Sequence, residues 1–170
     1  MKEYEKRYHE YLINHVNGVV NAWVDIRPLL IDENIITANE ALKIDQQILK
    51  HDASKFTEEE FNAYARRFCG ANTDLDRATF KIAWDHHKTY NLHHHQSLKD
   101  YFGEDWHYYI VEMVCDWISM GKTMNNTAWE YYEKEKQKVI LPEMYQVFLE
   151  RILTLLQKRQ LSQERLKGQA

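Results

Sequence analysis

Apolar residues return every three or four positions along most of this chain, and nowhere do they alternate with polar ones over the length of a strand. Near the N-terminus, Tyr8, Tyr11, Leu12, Val16, Val19 and Trp23 share one helical face. They predict a helix from about Lys2 to Ile26, ended or kinked by Pro28. Thr37 and Glu40 stand in capping-box spacing ahead of a second buried stripe, Ala41, Ile44 and Ile48. The same period carried forward reaches His51, Asp52 and Lys55, which puts them on the core side of that helix end. Thr57 and Glu60 repeat the capping-box spacing and predict a third helix to about Phe68, followed by a loop from Gly70 to Thr73. A fourth helix is expected from Asp76 to about Tyr90, with Phe80 and Trp84 inward. The stretch Asn91 to Gly103 is the least regular.

A fifth helix is expected from about Glu104 to Met120. Trp106, Tyr109, Ile110, Met113, Val114, Trp117 and Ile118 make a wide apolar face there, with Asp116 at its edge and Gly121 as a C-cap. A sixth runs from Asn126 to about Leu141. Pro142 suits the first turn of a seventh, which reaches Leu166 with the stripe Met144, Val147, Phe148, Ile152, Leu155 and Leu156. The predicted fold is an all-α, single-domain bundle of about six to seven helices over residues 1–170.

Composition narrows the picture. A chain of 170 residues fits one domain with a real core, and five glycines and two prolines suit long helices with short loops. A net charge of −4, with the basic residues dispersed, gives no electrostatic footprint for a nucleic acid polymer or a membrane surface. No uncharged run approaches the roughly 18 residues of a membrane span. The first residues, MKEYEKRYHEY, are too charged for a secretory signal. Cys69 and Cys115 form no paired motif and read as reduced thiols. The expected location is cytoplasmic, and homo-oligomerisation is left open.

The chemistry concentrates in histidines and carboxylates. His15 lies within the first apolar face; alone it would read as a core histidine with one hydrogen-bond partner. His51, Asp52 and Asp116 also fall on or beside buried faces, and buried carboxylates need a cation or several donors. One shared divalent metal satisfies all four; the rival is a buried His/Asp hydrogen-bond network. Such donors suit manganese, iron, cobalt, nickel or zinc, and no cysteine pattern argues for structural zinc.

The string from Trp84 to His95 holds five histidines in ten residues. His86 with His93, and His87 with His94, are seven apart. Either pair faces inward if the helix continues, or meets across a turn if it stops at Asn91. The plain alternative is a solvated loop that binds metal adventitiously, which suits His95 best. Lys55, one turn after Asp52, would hold a phosphate or other anion over a metal, where an ordinary lysine would be solvated. Glu58, Glu59 and Glu60 are most simply first-turn acids favoured by the helix dipole, though one of them could transfer protons. Asn91 either orients a ligand or caps a helix end.

With His15, His51-Asp52, Lys55, the histidine cluster and Asp116 in this order, the chain resembles the HD-domain superfamily of metal-dependent phosphohydrolases. It looks most like a small, largely uncharacterised bacterial and phage group with strings similar to HDASKFTEEEF, AWDHHKTYNLHH and EMVCDWISM. The resemblance covers about residues 10–125, with the helices of 126–167 added to that core. It implies that His15, His51, Asp52 and Asp116 ligate one metal. In branches with two metals, further histidines hold the second ion and Asp52 bridges. His87 and His94 are the choices here, with His86 and His93 as substitutes. Lys55 resembles those two-metal branches, whereas nucleotidase-like branches place a glutamate there. The group's proline after the paired histidines is replaced by His95.

The function these readings imply is hydrolysis of a nucleotide or other small phosphoester by metal-activated water. Asp52 and Lys55 would take catalytic roles, Lys55 and Asn91 would bind substrate, and one or two divalent ions (manganese, iron, cobalt, nickel, zinc or magnesium) would be the cofactor. Two other readings stand beside it. One is an HD-fold di-iron oxygenase; the other is a non-catalytic binding module stabilised by metal.

Overall fold

The computed structural model describes residues 1–167. Residues 168–170, counted in the expected domain, lie outside the described residues. Among the described residues the secondary structure is helical throughout: α1 (Glu3–Asp32), α2 (Ala38–Ile48), a 3-10 turn (Ala53–Phe56), α3 (Glu58–Cys69), α4 (Asp74–Tyr90), the single turn α5 (His95–Leu98), α6 (Trp106–Met124), α7 (Ala128–Glu135) and α8 (Glu143–Lys167). No described helix is long and apolar enough to cross a membrane.

The all-α expectation holds, and eight helices replace six to seven because the irregular stretch after Asn91 contains a short one. Pro28 does not end α1, which continues to Asp32 and buries Leu30. Proline removes the donor that would reach the Val24 carbonyl. Val24 and Pro28 both lie on the solvent face, where water can satisfy that carbonyl. The helix stops where Asn34 takes a left-handed φ of 53°.

The Thr37–Glu40 capping box forms, with the Thr37 hydroxyl accepting from the Glu40 amide and the Glu40 carboxylate accepting from the Thr37 amide. Thr57 opens α3 without a side-chain cap, because Glu60 turns inward. Thr73 and Asp76 form the capping box that opens α4. Gly121 is not a C-cap. It lies inside α6, which runs on to Met124 and closes on Asn125 in the left-handed region. A Cβ at Gly121 would stand 2.4 Å from the Asn126 carbonyl oxygen, so glycine permits the chain to double back there. The sixth and seventh expected helices are shorter at their joint: α7 ends at Glu135 and α8 begins at Glu143. The buried stripe of α8 is Tyr145, Leu149, Ile152 and Leu153, while Met144 and Val147 are exposed.

Two apolar clusters form. The larger joins α1, α2, α6, α7 and α8 around Trp23, Ile44, Ile110, Val114 and Leu149. The smaller joins α1, α3 and α4 around Tyr8, Leu12, Tyr64 and Ala83. The stripe of α1 serves both: Leu12 belongs to the smaller and Val19 to the larger, with His15 between them. The α1–α6 approach is close here, since a Cβ at Gly18 would stand 2.3 Å from Ser119 Oγ. Ser119 Oγ donates to the His15 carbonyl oxygen. The seam between the clusters is where polar groups are buried.

Candidate metal centre

The seam collects side chains from six segments. His15 comes from the middle of α1. His51 and Asp52 come from the turn after α2, not from α2 itself, which ends at Ile48. The correction has a local cause: Leu49 and Lys50 are exposed, and Asp52 adopts φ 56°, ψ 19°, the left-handed region. A non-glycine residue there carries strain of about 1 kcal/mol. The conformation turns the chain so that His51 and Asp52 are both buried. Lys55 follows on the 3-10 turn. His87 comes from the last turn of α4, and His93 and His94 from the turn beyond it. Asp116 comes from α6.

Asp52 stands at the centre. Its Oδ2 lies 3.3 Å from His15 Nε2 and 3.5 Å from His51 Nε2. Its Oδ1 lies 3.2 Å from His87 Nε2 and 3.6 Å from His93 Nε2. Asp116 Oδ1 is 3.4 Å from His15 Nε2, and His94 Nε2 is 2.9 Å from His87 Nε2. Two sets with mutually close donor atoms result, His15–His51–Asp52 and Asp52–His87–His93–His94. Metal–ligand bonds of about 2.0–2.2 Å put neighbouring ligand atoms about 3.0–3.5 Å apart in octahedral or tetrahedral geometry. The separations here match that spacing.

Hydrogen bonds on the far side of the rings fix which nitrogens face the centre. His51 Nδ1 donates to Glu112 Oε1 at 2.8 Å, and His93 Nδ1 is 3.1 Å from the same oxygen. His87 Nδ1 donates to Glu60 Oε2 at 2.8 Å. A carboxylate only accepts, so each Nδ1 carries a proton, and in the neutral form that ligation requires each ring presents its Nε2 lone pair toward Asp52. Lone pairs then face a carboxylate. Asp52 Oδ1 and His93 Nε2 are buried without a hydrogen-bond partner. A divalent cation resolves that arrangement, and carboxylate-backed histidines are the usual support of metal ligands. These buried groups are compatible with divalent metal binding. A third close set, His51, His93 and Glu112, meets through hydrogen bonds at Nδ1 and is a support.

Burial lowers the His51 and His87 pKa values, but Asp52 and the carboxylates behind the rings outweigh it and raise both, so each ring must give up a proton to ligate. Burial raises the Asp52 pKa, but Lys55 and His51 outweigh it and hold the carboxyl well below its ordinary value. Burial lowers the Lys55 pKa, but Asp52 overrides it; Lys55 Nζ donates to Asp52 Oδ2 at 2.6 Å and stays charged. Burial, with His93 and His87 beside it, holds His94 well below its ordinary value, so it is neutral and able to ligate.

Of the residues singled out in the sequence, His15, His51, Asp52, His87, His94 and Asp116 come together. His93 joins them as well, so that His93 and His94 face inward together and are not alternatives. His86 does not reach Asp52: it is half-buried and bonds Glu60 Oε1 at 2.8 Å. Asn91 is buried at the end of α4 and lines neither adjoining cavity. Its amide donates to Ser54 Oγ (2.7 Å) and to the His87 carbonyl (2.9 Å), tying α4 to the 3-10 turn. His95, expected on a solvated loop, is half-buried at the start of α5 and lines the smaller cavity.

Sequence spacing does not single out Glu112, and offers Glu60 only as one of three first-turn acids that could transfer protons. Glu60 sits in capping-box spacing that sequence alone cannot tell from a real cap. Glu112 had a signal: a carboxylate one turn before Asp116, on the most apolar helix of the chain.

Two cavities adjoin the cluster, of about 500 Å³ and about 300 Å³. Both reach Trp84, Asp116, Met120 and Met124; the larger adds His15 and Lys55, the smaller His93 and His94. Residues 4–155 match the model of a family of unknown function (DUF5662). No curated protein and no solved structure matches the chain.

Proposed function

The chain belongs to this family of unknown function (DUF5662), and we propose that it is a metal-dependent phosphohydrolase of HD-like organisation acting on a small phosphoester. The observation that carries the reading is the division of Asp52: one oxygen toward His15 and His51, the other toward His87 and His93. That division suits a carboxylate bridging two divalent ions. His15, His51, Asp52 and Asp116 would hold one; Asp52, His87, His93 and His94 the other. Divalent ions so held would supply a water activated near neutral pH and neutralise charge on a phosphoryl group.

The protein's own groups do the rest. Glu112 and Glu60 keep the imidazoles in the Nδ1-protonated form that ligation requires. Lys55, charged and partly accessible on the lining of the larger cavity, is placed to neutralise phosphoryl oxygens as charge builds on them. The net reaction adds water to phosphorus and breaks the P–O ester bond. The departing alcohol takes one proton of the water, and phosphate leaves with the hydroxyl.

Phosphate release from a broad panel of phosphomonoesters and diesters, with protein loaded with manganese, iron or zinc, tests the reading. Release that stops on chelation and in Asp52→Asn is expected. Silence across the panel with every metal contradicts it. Oxygen uptake by the iron-loaded protein, with no phosphate released from esters, would replace it with the di-iron oxygenase reading.

A further inference from the structure

The larger cavity joins a charged floor to apolar walls. His15, Lys55 and Asp116 lie at its inner end, against the candidate metal centre. Its walls are rings and thioethers. Tyr64 and Phe80 pack edge to face at 5.0 Å, Phe80 and Phe68 at 5.2 Å, and Tyr8 lies 6.1 Å from Tyr64. Trp84 and Met120 continue the wall, and the exposed Met124 and Phe68 stand at its rim. Lys55 is the only lysine or arginine on this lining, and no amide, serine or threonine side chain lies on it. Tyr64, whose ring lies 5.4 Å from Lys55 Nζ, carries a buried hydroxyl without a partner.

That lining discriminates among phosphoesters. A sugar phosphate would press several hydroxyls against phenylalanine, tryptophan and methionine, with the hydroxyls of Tyr8, Tyr11 and Tyr64 too few to replace their hydration. A nucleotide adds a ribose and base edges that call for amide-like partners. A di- or triphosphate needs more than one cation beyond the metals. An apolar ring or alkyl chain of matching volume loses only water.

We infer, on the basis of the phosphohydrolase reading, that the cavity selects a monophosphate ester of an apolar alcohol, aromatic or short alkyl, over nucleotides and sugar phosphates. The phosphoryl head sits at Lys55 and the metal ligands, the apolar body lies among Tyr64, Phe80 and Trp84, and the Tyr64 hydroxyl meets at most one oxygen of that body.

The test is calorimetric titration of the manganese-loaded full chain with inorganic phosphate, phenylphosphonate, hexylphosphonate, ribose 5-phosphate and adenosine monophosphate. The phosphonates resist hydrolysis, so binding is read whether or not turnover occurs. The expected result is that phenylphosphonate or hexylphosphonate binds at least tenfold more tightly than inorganic phosphate, while ribose 5-phosphate gains nothing over it. Phe80→Ala, and Met124→Glu at the exposed rim, should each shrink that ratio, and Met124→Glu keeps the core intact should Phe80→Ala fail to fold. Equal affinity of phosphonates and inorganic phosphate overturns the inference, as does tighter binding of ribose 5-phosphate or adenosine monophosphate. Phosphate release confined to sugar or nucleotide esters would sink it while leaving the hydrolase reading standing. A tenfold phosphonate preference with no ester hydrolysed would do the reverse.

Discussion

His93 Nε2 lies 3.6 Å from Asp52 Oδ1, both atoms are buried, and neither has a hydrogen-bond partner. His93 cannot donate to Asp52, because its proton is on Nδ1, facing Glu112 at 3.1 Å. A buried lone pair opposite a buried carboxylate oxygen is unfavourable unless a cation lies between them. His51 and His87 share the orientation, with Nδ1 against a carboxylate and Nε2 toward Asp52, although their Nε2 atoms also meet His15 at 3.2 Å and His94 at 2.9 Å. The account of a metal centre rests on this shared orientation more than on the number of histidines.

Glu112 should therefore act on metal affinity through the rings it holds. Glu112→Gln leaves an acceptor for one imidazole but removes the charge shared by His51, His93 and Gln47. Metal affinity should fall about 10–100-fold, with the native helical content retained. Competition with a chromogenic chelator measures it. Affinity equal to the parent's would mean that Glu112 is merely a satisfied core carboxylate.

Lys55 should matter to turnover more than to metal. Lys55→Met removes the cation at the cavity floor but none of the ligand atoms. Turnover of any phosphoester substrate should drop about 100-fold or more, with the metal content per chain unchanged. In chelator-treated protein the same substitution strips Asp52 of its nearest cation and should lower the Tm. Undiminished turnover would return Lys55 to the role of a structural partner of Asp52.

Proton and metal should compete at His51. Burial lowers the His51 pKa, but Asp52 and the Glu112 hydrogen bond outweigh it and raise it from 6.5 to about 9. Burial raises that of Glu112, but His93 and His51 pull it from 4.5 down to about 2. A raised histidine stabilises fully below pH 6.5 and loses that contribution as pH climbs toward 9. A lowered carboxylate contributes fully above pH 4.5 and loses it as pH falls toward 2. Chelator-treated protein should thus be most stable from about pH 4.5 to 6.5. Metal needs neutral His51, so affinity should rise about tenfold per pH unit through neutrality. A Tm that climbs steadily with pH in chelator would contradict the coupling.

Gly121 offers a test of the fold around the site. Glycine to alanine inside a helix ordinarily gains about 1 kcal/mol. Here the new Cβ would meet the Asn126 carbonyl at 2.4 Å, a backbone atom that cannot rotate away. Overpacking of about 1–3 kcal/mol should win, so Gly121→Ala should lower the Tm by a few degrees. A rise in Tm would mean that the α6–α7 joint yields.

The legible parts of this chain were those written in local periodicity. The stripes of α1 and α2, the inward turn of His15 and the place of Asp116 at the edge of the α6 apolar face follow from spacing. The illegible parts depended on tertiary partners. Carrying the α2 period past Ile48 brought His51 and Asp52 to the core side, but through a helix that does not extend so far; a left-handed Asp52 achieves it. Glu60 was hidden because a capping acid and an imidazole-holding acid share one spacing. The choice within the pairs 86/87 and 93/94 hung on where α4 stops. It stops at Tyr90, so His87 meets His93 and His94 across a turn and His86 is left on the surface side.

Elemental analysis of the untagged full-length protein, purified without chelator, tests the central claim most directly. The account predicts close to two divalent ions per chain, falling to one or none in Asp52→Asn and in His87→Ala with the helical fold retained. No bound metal, together with an unchanged Tm on adding manganese, iron or zinc, would contradict it and leave the cluster a buried hydrogen-bond network.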